Sequence, residues 1–449
     1  MRIVLALGWY FPESVGGTEV YVAALARRYR AQGHDVSVTA PLAGLGMPRH
    51  GERDGTPVFR YPVPVAPTRD EARGDARARG TGHLDRWIQD QRPDVLHVHS
   101  LVTGLGLAEI ERARPHCRAL VVTNHLPDLG YVCARGHLMR WGTEACDGIR
   151  RIDLCTACVW HAHGAPRRLA RAAAACVPDA LSRRALGWPG APGALLATPA
   201  LIARRAIREQ HLLEVVDRFV LLSEWARSVL IANGAPAERL AVNRLGVSQP
   251  PVASRASGRP GARTGTVVGY VGRYGWEKGL DPLVEAIRRV PPDLPLQFVF
   301  VGPAAAAAEQ AVRRSVEARL AGDSRVRFRP GVEAADVPGV LREIDVLCCP
   351  SLWAENGPTI ALEARAAGTP VIGSAFGAFP ESVLDGVEGR LVPPGDVPAL
   401  TAALTEVGRD PSIVSRWRAG IRPVRTMDDV AADYLGLYGT LLGEPGATS

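Results

Sequence analysis

Lysine is nearly missing from this chain: of its 53 basic residues only one, Lys278, is not arginine. Arginine supplies surface charge equally well, so an arginine-preferring composition accounts for every other basic position. The basic residues do not gather into one tail, and the aromatics, at 6%, are not interleaved with the Arg-rich runs. That argues against a nucleic-acid surface, which wants clustered cations among stacking rings. No run of about 18 uncharged apolar residues occurs, so no transmembrane helix is expected. The opening, Met1 to Gly8, lacks a following small-residue cleavage site and reads as a buried first strand. No internal repeat of solenoid length is present.

What is there fits a soluble globular protein. The 449 residues are 47% hydrophobic and 22% charged, enough for two or three domains with proper cores. The net charge of +7 suits anionic partners such as nucleotides or phospholipid headgroups. The expected location is the cytoplasm, with peripheral contact at the inner membrane face left open.

Short apolar runs alternate with helical patterns in two halves. Ile3–Leu7, Val36–Ala40, Val95–His99 and Leu120–Thr123 read as buried strands, and Glu19–Gln32 reads as a helix. Pro41–Gly82, full of Pro, Gly and Arg, reads as loop. The second half offers Val267–Val271, Leu296–Val301, Val326–Phe328, Val346–Cys349 and Pro370–Gly373 as strands. Continuous apolar runs of this length predict parallel sheets covered on both faces. The expected architecture is α/β, with two doubly wound, Rossmann-like domains that bind ligands at the carboxyl ends of their strands, in the cleft between them. The boundaries are 1–247 for the first domain, with a cysteine-rich insert at about 130–165, and 267–425 for the second. Residues 248–266 form a linker, and 426–449 form a helix packing back on the first domain.

Lys278 lies in Gly272-Arg273-Tyr274-Gly275-Trp276-Glu277-Lys278-Gly279, after an apolar strand. A compact ammonium beside a glycine-rich turn suits a phosphate. Further on, Glu355-Asn356-Gly357-Pro358-Thr359 leads into a helix carrying Glu363 and stopping at Gly368. Pro358 fits the first helical turn. Free amides at Gly357, Thr359 and Ile360 offer an anion site, bracketed by two carboxylates roughly 10 Å apart by helical rise. His97 and His99 flank Val98, so strand alternation puts both rings on one face, where they contact a ligand or pack at a sheet end.

Glu355 and Glu363 with Ala367-Gly368-Thr369-Pro370-Val371 resemble the donor motif of retaining glycosyltransferases of the GT-B fold, most closely family 4. Gly16-Gly17-Thr18-Glu19, Thr123-Asn124-His125, Ser223, Gly272-Arg273, Glu277-Lys278-Gly279 and Gly377-Ala378-Phe379-Pro380-Glu381 agree in order. The resemblance implies a hexosyl transfer from a nucleotide-diphosphate sugar to a hydroxyl acceptor: a glycan, a lipid-linked sugar or a secondary metabolite. It also implies roles. Arg273 and Lys278 neutralise the diphosphate, replacing the cation that other sugar transferases hold with Asp-x-Asp, a motif this chain lacks. Glu355 binds sugar hydroxyls and Glu363 the ribose. His125 sits by the transferred sugar. Gly16, Gly17, Gly272, Asn356, Gly357 and Thr359 complete the donor site. Retention then proceeds by front-face attack, with the leaving phosphate assisting deprotonation of the acceptor. Two other readings stay open: a nucleotide-sugar 2-epimerase, which needs acid and base carboxylates in the first half, and a non-enzymatic, metal-bearing nucleic-acid binder.

Four of the eight cysteines cluster: Cys133, Cys146, Cys155 and Cys158. A Cys-x-x-Cys pair plus two loop thiolates predicts a tetrahedral metal site, with zinc first and an iron–sulfur cluster second. The resemblance includes a sub-branch with such an insert. The expected role is structural: a pinned lid near His125.

Overall fold

The computed structural model describes residues 1–14, 16–74, 76–125, 132–248 and 265–443. The chain forms two compact units. Unit 1 comprises residues 1–136, 147–248 and 427–449, and unit 2 comprises 137–146 and 249–426. All but the ends of the expected linker 248–266 lies outside the described residues.

Unit 1 is built on an eight-stranded sheet. In chain order its strands are β1 (Arg2–Ala6), β2 (Asp35–Ala43), β3 (Arg49–Arg53), β4 (Thr56–Val63), β5 (Val95–Val98), β6 (Ala119–Thr123), β7 (Arg218–Leu221) and β8 (Leu240–Val242). They lie in the order β8-β7-β6-β5-β1-β2-β4-β3, parallel except for the antiparallel edge pair β3–β4. The segment read from sequence as loop, Pro41–Gly82, is therefore partly sheet. β2 runs on to Ala43, and β4 pairs with it through Val58, Phe59 and Tyr61. The alternation Val58, Arg60, Pro62 is broken by charge and proline, which hid the strand; Arg60 is buried because its guanidinium donates to the carbonyls of Tyr10 and Phe11.

Unit 2 carries a six-stranded, wholly parallel sheet: β9 (Thr266–Val271), β10 (Leu296–Val301), β11 (Val326–Arg329), β12 (Val346–Cys349), β13 (Val371–Ser374) and β14 (Gly389–Val392). The order is β11-β10-β9-β12-β13-β14. Successive side chains alternate between two cores. Val268, Tyr270, Phe298, Phe300 and Ile372 enter one, and Val267, Val271, Val301, Leu347 and Val371 enter the other. A strand buried on both faces must be apolar throughout, which is why these runs read so clearly.

Strand order reverses beside β9 in unit 2 and beside β1 in unit 1. At such a switch point the loops leaving two neighbouring strands splay apart and leave a crevice at their carboxyl ends. In unit 2 these are the loops after β9 and β12, which hold Gly272–Gly279 and Pro350–Pro358. In unit 1 they are the loops after β1 and β5.

The last helix, Met427–Leu442, belongs to unit 1. Its Tyr434 and Tyr438 are fully buried with Tyr29 of the helix Gly17–Ala31. Tyr438 Oη is 2.6 Å from His97 Nδ1, and Thr123 Oγ1 lies 2.7 Å from His97 Nε2 and 2.9 Å from Tyr434 Oη. His97 is thus a satisfied core residue. Among the described residues no helix is long and apolar enough to cross a membrane.

Candidate active site

Unit 2 brings Lys278 and Glu355 together at its switch point. Lys278 Nζ donates to Glu355 Oε1 at 2.8 Å, and Ser351 Oγ donates to the same oxygen at 2.8 Å. The ammonium lies 5.1 Å from the centre of the Trp353 ring, a cation–π distance. Burial pushes the Glu355 carboxyl upward, but the Lys278 charge and the hydrogen bonds from Lys278 and Ser351 outweigh it and hold the carboxyl below its ordinary value. The pair is therefore charged.

Backbone geometry fixes this placement. Gly279 has φ +72°, and a Cβ there would lie 1.8 Å from Pro350 O. Only glycine lets the Lys278 turn pass so close to the loop after β12. Leu352 N donates to Glu277 O at 2.8 Å, tying the same two loops.

Arg273 is more exposed. It reaches Glu309 Oε1 at 3.1 Å and Glu277 Oε1 at 3.9 Å. Glu309 also accepts from Ala305 N at 3.0 Å, so it caps the helix Ala307–Arg319 while holding the arginine. Glu363 stands on the second turn of the helix Thr359–Ala366. Burial pushes its carboxyl up to about 7. One turn-mate, Arg365, anchors the helix from within: it donates to Glu388 Oε1 at 2.7 Å, and Arg422 donates to Glu388 Oε2 at 2.7 Å.

Two details differ from the sequence reading. Pro358 is the residue before the helix and not its first residue, with Thr359 opening it. Thr359 N is not free either, because it donates to Gly357 O at 2.9 Å. The tight turn that proline imposes folds that amide inward, leaving Ile360 N at the helix start.

In unit 1, Gly16 and Gly17 open the helix Gly17–Ala31. One turn on, the Tyr21 ring lies 4.9 Å from the His125 ring. His99 Nδ1 is 3.2 Å from His125 Nε2. Burial holds His125 neutral, with its pKa pushed down to about 3, and holds His99 neutral as well, helped by its histidine neighbours. A neutral imidazole can donate from one nitrogen and accept at the other, which suits sugar hydroxyls.

The expected zinc or iron–sulfur centre finds no support in the structure. Among the described residues no group of three or more His, Cys, Asp or Glu side chains is placed to hold a metal ion. Cys155 and Cys158 share one turn of the helix Ile152–Ala162, and the Arg135 guanidinium donates to Cys158 Sγ at 3.5 Å. Cys133 belongs with them to unit 1, whereas Cys146 lies in the segment 137–146 of unit 2.

Sequence reasoning missed Ser351, Trp353 and Glu309 and left His99 undecided. Ser351 sits four residues before Glu355, a spacing that signals little in a loop. Glu309 carries only a helix-start signature.

Residues 15–158 match the family described as Glycosyltransferase Family 4, and residues 265–410 match Glycosyl transferases group 1. The phosphatidyl-myo-inositol mannosyltransferase of Mycobacterium leprae (strain TN) is 32% identical over 233 residues, 51% of this chain and 60% of that protein. The D-inositol 3-phosphate glycosyltransferase of Mycobacterium sp. (strain JLS) is 32% identical over 202 residues, 43% of this chain and 45% of that protein. The chain thus spans roughly half the length of these relatives. Among solved structures, sucrose-phosphate synthase from Thermosynechococcus elongatus superposes with a TM-score of 0.67 at 18% identity, covering 99% of this chain and 100% of that one. Anabaena HepE in complex with UDP and glucose gives 0.62 at 15% identity, covering 98% and 100%. The chain is similar in its two halves to family 4 and group 1 glycosyltransferases, and it carries the GT-B fold of two Rossmann-like α/β domains.

Proposed function

We propose that this protein is a retaining glycosyltransferase that moves a sugar from a nucleotide-diphosphate sugar to a hydroxyl acceptor without a catalytic divalent cation. The observation that carries this reading is the Lys278–Glu355 pair at the switch point of unit 2, with Arg273 on the loop after β9 and Glu363 on the helix that follows the Glu355 loop. Diphosphate oxygens compete with Glu355 for the ammonium. Once released, the Glu355 carboxylate accepts from sugar hydroxyls, while Glu363 accepts from the ribose. Lys278 and Arg273 then neutralise charge that grows on the departing phosphate, in a site already shaped for it.

The bond from the anomeric carbon to the phosphate oxygen breaks, and the bond to the acceptor oxygen forms on the same face. The acceptor proton passes to the leaving phosphate. His125, kept neutral, holds hydroxyls of the transferred sugar. Gly16 and Gly17 leave the backbone open to close approach, and Gly272, Asn356, Gly357 and Thr359 line the donor.

The acceptor class is a glycan, a lipid-linked sugar or a secondary metabolite. The names of the relatives add inositol-bearing acceptors with a phosphate. Neither the epimerase reading nor the nucleic-acid reading gains support from the family matches.

Mass-spectrometric detection of nucleotide release from a panel of nucleotide sugars tests the site. Slow hydrolysis of one donor, reduced at least ~100-fold in Lys278→Ala and Glu355→Ala, is the expected result. Hydrolysis at the wild-type rate in both variants would sink the assignment. The anomeric proton coupling of the product, read by NMR, decides retention.

A further inference from the structure

Unit 1 holds a cavity of about 730 Å³ that the donor chemistry leaves unused. Its walls come from the loop after β5 with the helix Leu107–Ala113, the short helix Arg69–Arg73, and the long helix Thr198–Val215. Leu101, Leu107, Leu195 and Leu201 give it an apolar lining. Four arginines join them: Arg73, Arg204, Arg205 and Arg208. Arg204 and Arg208 are one turn apart and share a helix face. Arg205 donates to Cys133 O at 3.1 Å and Arg208 to Arg73 O at 2.5 Å, which fixes both cations at the wall.

The cavity also contains two carboxylates, Glu71, which is paired with Arg79 at 2.9 Å, and Glu109. Glu109 is 4% exposed. Its Oε2 accepts from Gly106 N at 2.9 Å, and its Oε1 has no hydrogen-bond partner. A buried acceptor left without a donor is costly, and a fold keeps one where something else supplies the donor.

We propose that this cavity is the acceptor subsite and takes an anionic amphiphile. A phosphate-bearing group lies against the arginines, an apolar moiety runs along the leucines, and a hydroxyl donates to Glu109 Oε1. This rests on the transferase reading. A neutral sugar has no use for four arginines, and a bare sugar phosphate would leave the leucines wet. The volume falls within the range of about 300–1,000 Å³ that small-molecule sites occupy.

The test titrates the full chain with dihexanoyl phosphatidic acid below its micelle concentration, with glycerol 3-phosphate, and with a panel of nucleoside diphosphates. The proteins are wild type, Arg204→Gln/Arg205→Gln and Glu109→Gln, with circular dichroism confirming that each folds. Phosphatidic acid is expected to bind about tenfold or more tighter than glycerol 3-phosphate, and the arginine variant to lose about tenfold. Glu109→Gln weakens glycerol 3-phosphate, the probe that carries free hydroxyls, and both variants keep wild-type nucleotide affinity. Phosphatidylcholine vesicles with and without phosphatidic acid separate the sources. Pelleting with the anionic vesicles assigns a membrane lipid, and binding of the monomer alone assigns a soluble amphiphile. Phosphatidic acid binding no tighter than glycerol 3-phosphate, or unmoved by the arginine variant, overturns the proposal. Failure of the transferase reading has a different signature: wild type binds no nucleoside diphosphate, whatever the cavity takes.

Discussion

Glu363 is a carboxylic acid that burial keeps half-protonated near neutrality, at a pKa of about 7. A ribose hydroxyl donating to it favours the charged form, so nucleotide binding expels a proton. Affinity for the nucleoside diphosphate should therefore rise with pH from 6 to 8, by up to about tenfold. Glu363→Gln should flatten that slope. Isothermal titration at three pH values decides it, and a flat wild-type profile would remove the ribose from Glu363. At this scale the sequence spoke clearly where a residue type is rare. Lys278 stood out because it had no competitors, and its partner Glu355 was within reach of motif reasoning. Glu309 and Ser351 did not, since a glutamate at a helix start and a serine in a loop are ordinary until tertiary contacts place them. The four cysteines are a different case, because nothing in the structure supports the metal that their spacing suggests. Their spacing is a strong local signal, but metal binding needs convergence in space, and spacing alone does not specify the path between thiols.

The helix Thr359–Ala366 shows how an element is held so that one side chain can serve chemistry. Its Arg365 meets Glu388, fully buried, which also accepts from Leu384 N at 2.8 Å and Arg422 N at 2.8 Å. Burial raises the Glu388 carboxyl, but the Arg422 and backbone hydrogen bonds and the Arg365 charge prevail and hold it at about 2. Glu388→Gln leaves Arg365 as a buried cation with weakened partners, and it should destabilise unit 2 by about 3 kcal/mol or more. Urea unfolding followed at pH 7 measures this, and a loss below about 1 kcal/mol would show that the pair is dispensable. Elements of the sheets were legible where strands are apolar on both faces, as in β9, β10 and β12. The β4 strand was not, because Arg60 and two prolines interrupt its pattern and its burial depends on carbonyls contributed from the loop after β1.

The two units have separate cores and opposite responses to acid. In unit 1 burial keeps His97, His99 and His125 neutral, each with a lowered pKa. The unfolded chain takes up those protons near its ordinary pKa of about 6.5, so the histidine contribution, present above that value, is lost as pH falls below it. In unit 2 the raised Glu363 pKa works the other way: its contribution is full below about 4.5 and lost as pH rises through about 7. Calorimetry between pH 5 and 7.5 should resolve a unit 1 transition that moves up with pH and a unit 2 transition that falls slightly. Only the second should rise when a nucleoside diphosphate is added, by about 2.7 kcal/mol at a hundredfold excess over its Kd. One transition shifting as a whole would contradict this independence.

The last helix sets the order in which the chain can mature. Thr123 and Tyr434, hydrogen-bonded in the finished unit 1, are 311 residues apart in sequence. At synthesis rates of about 5–20 residues per second, roughly 15–60 s separate their emergence from the ribosome. Throughout that interval His97 has no Tyr438 and the first core lacks its closing wall, while the residues of the second sheet emerge complete. The half translated first must wait for the half translated second. During each round of synthesis the exposed face of unit 1 is therefore where a holding chaperone would find this protein.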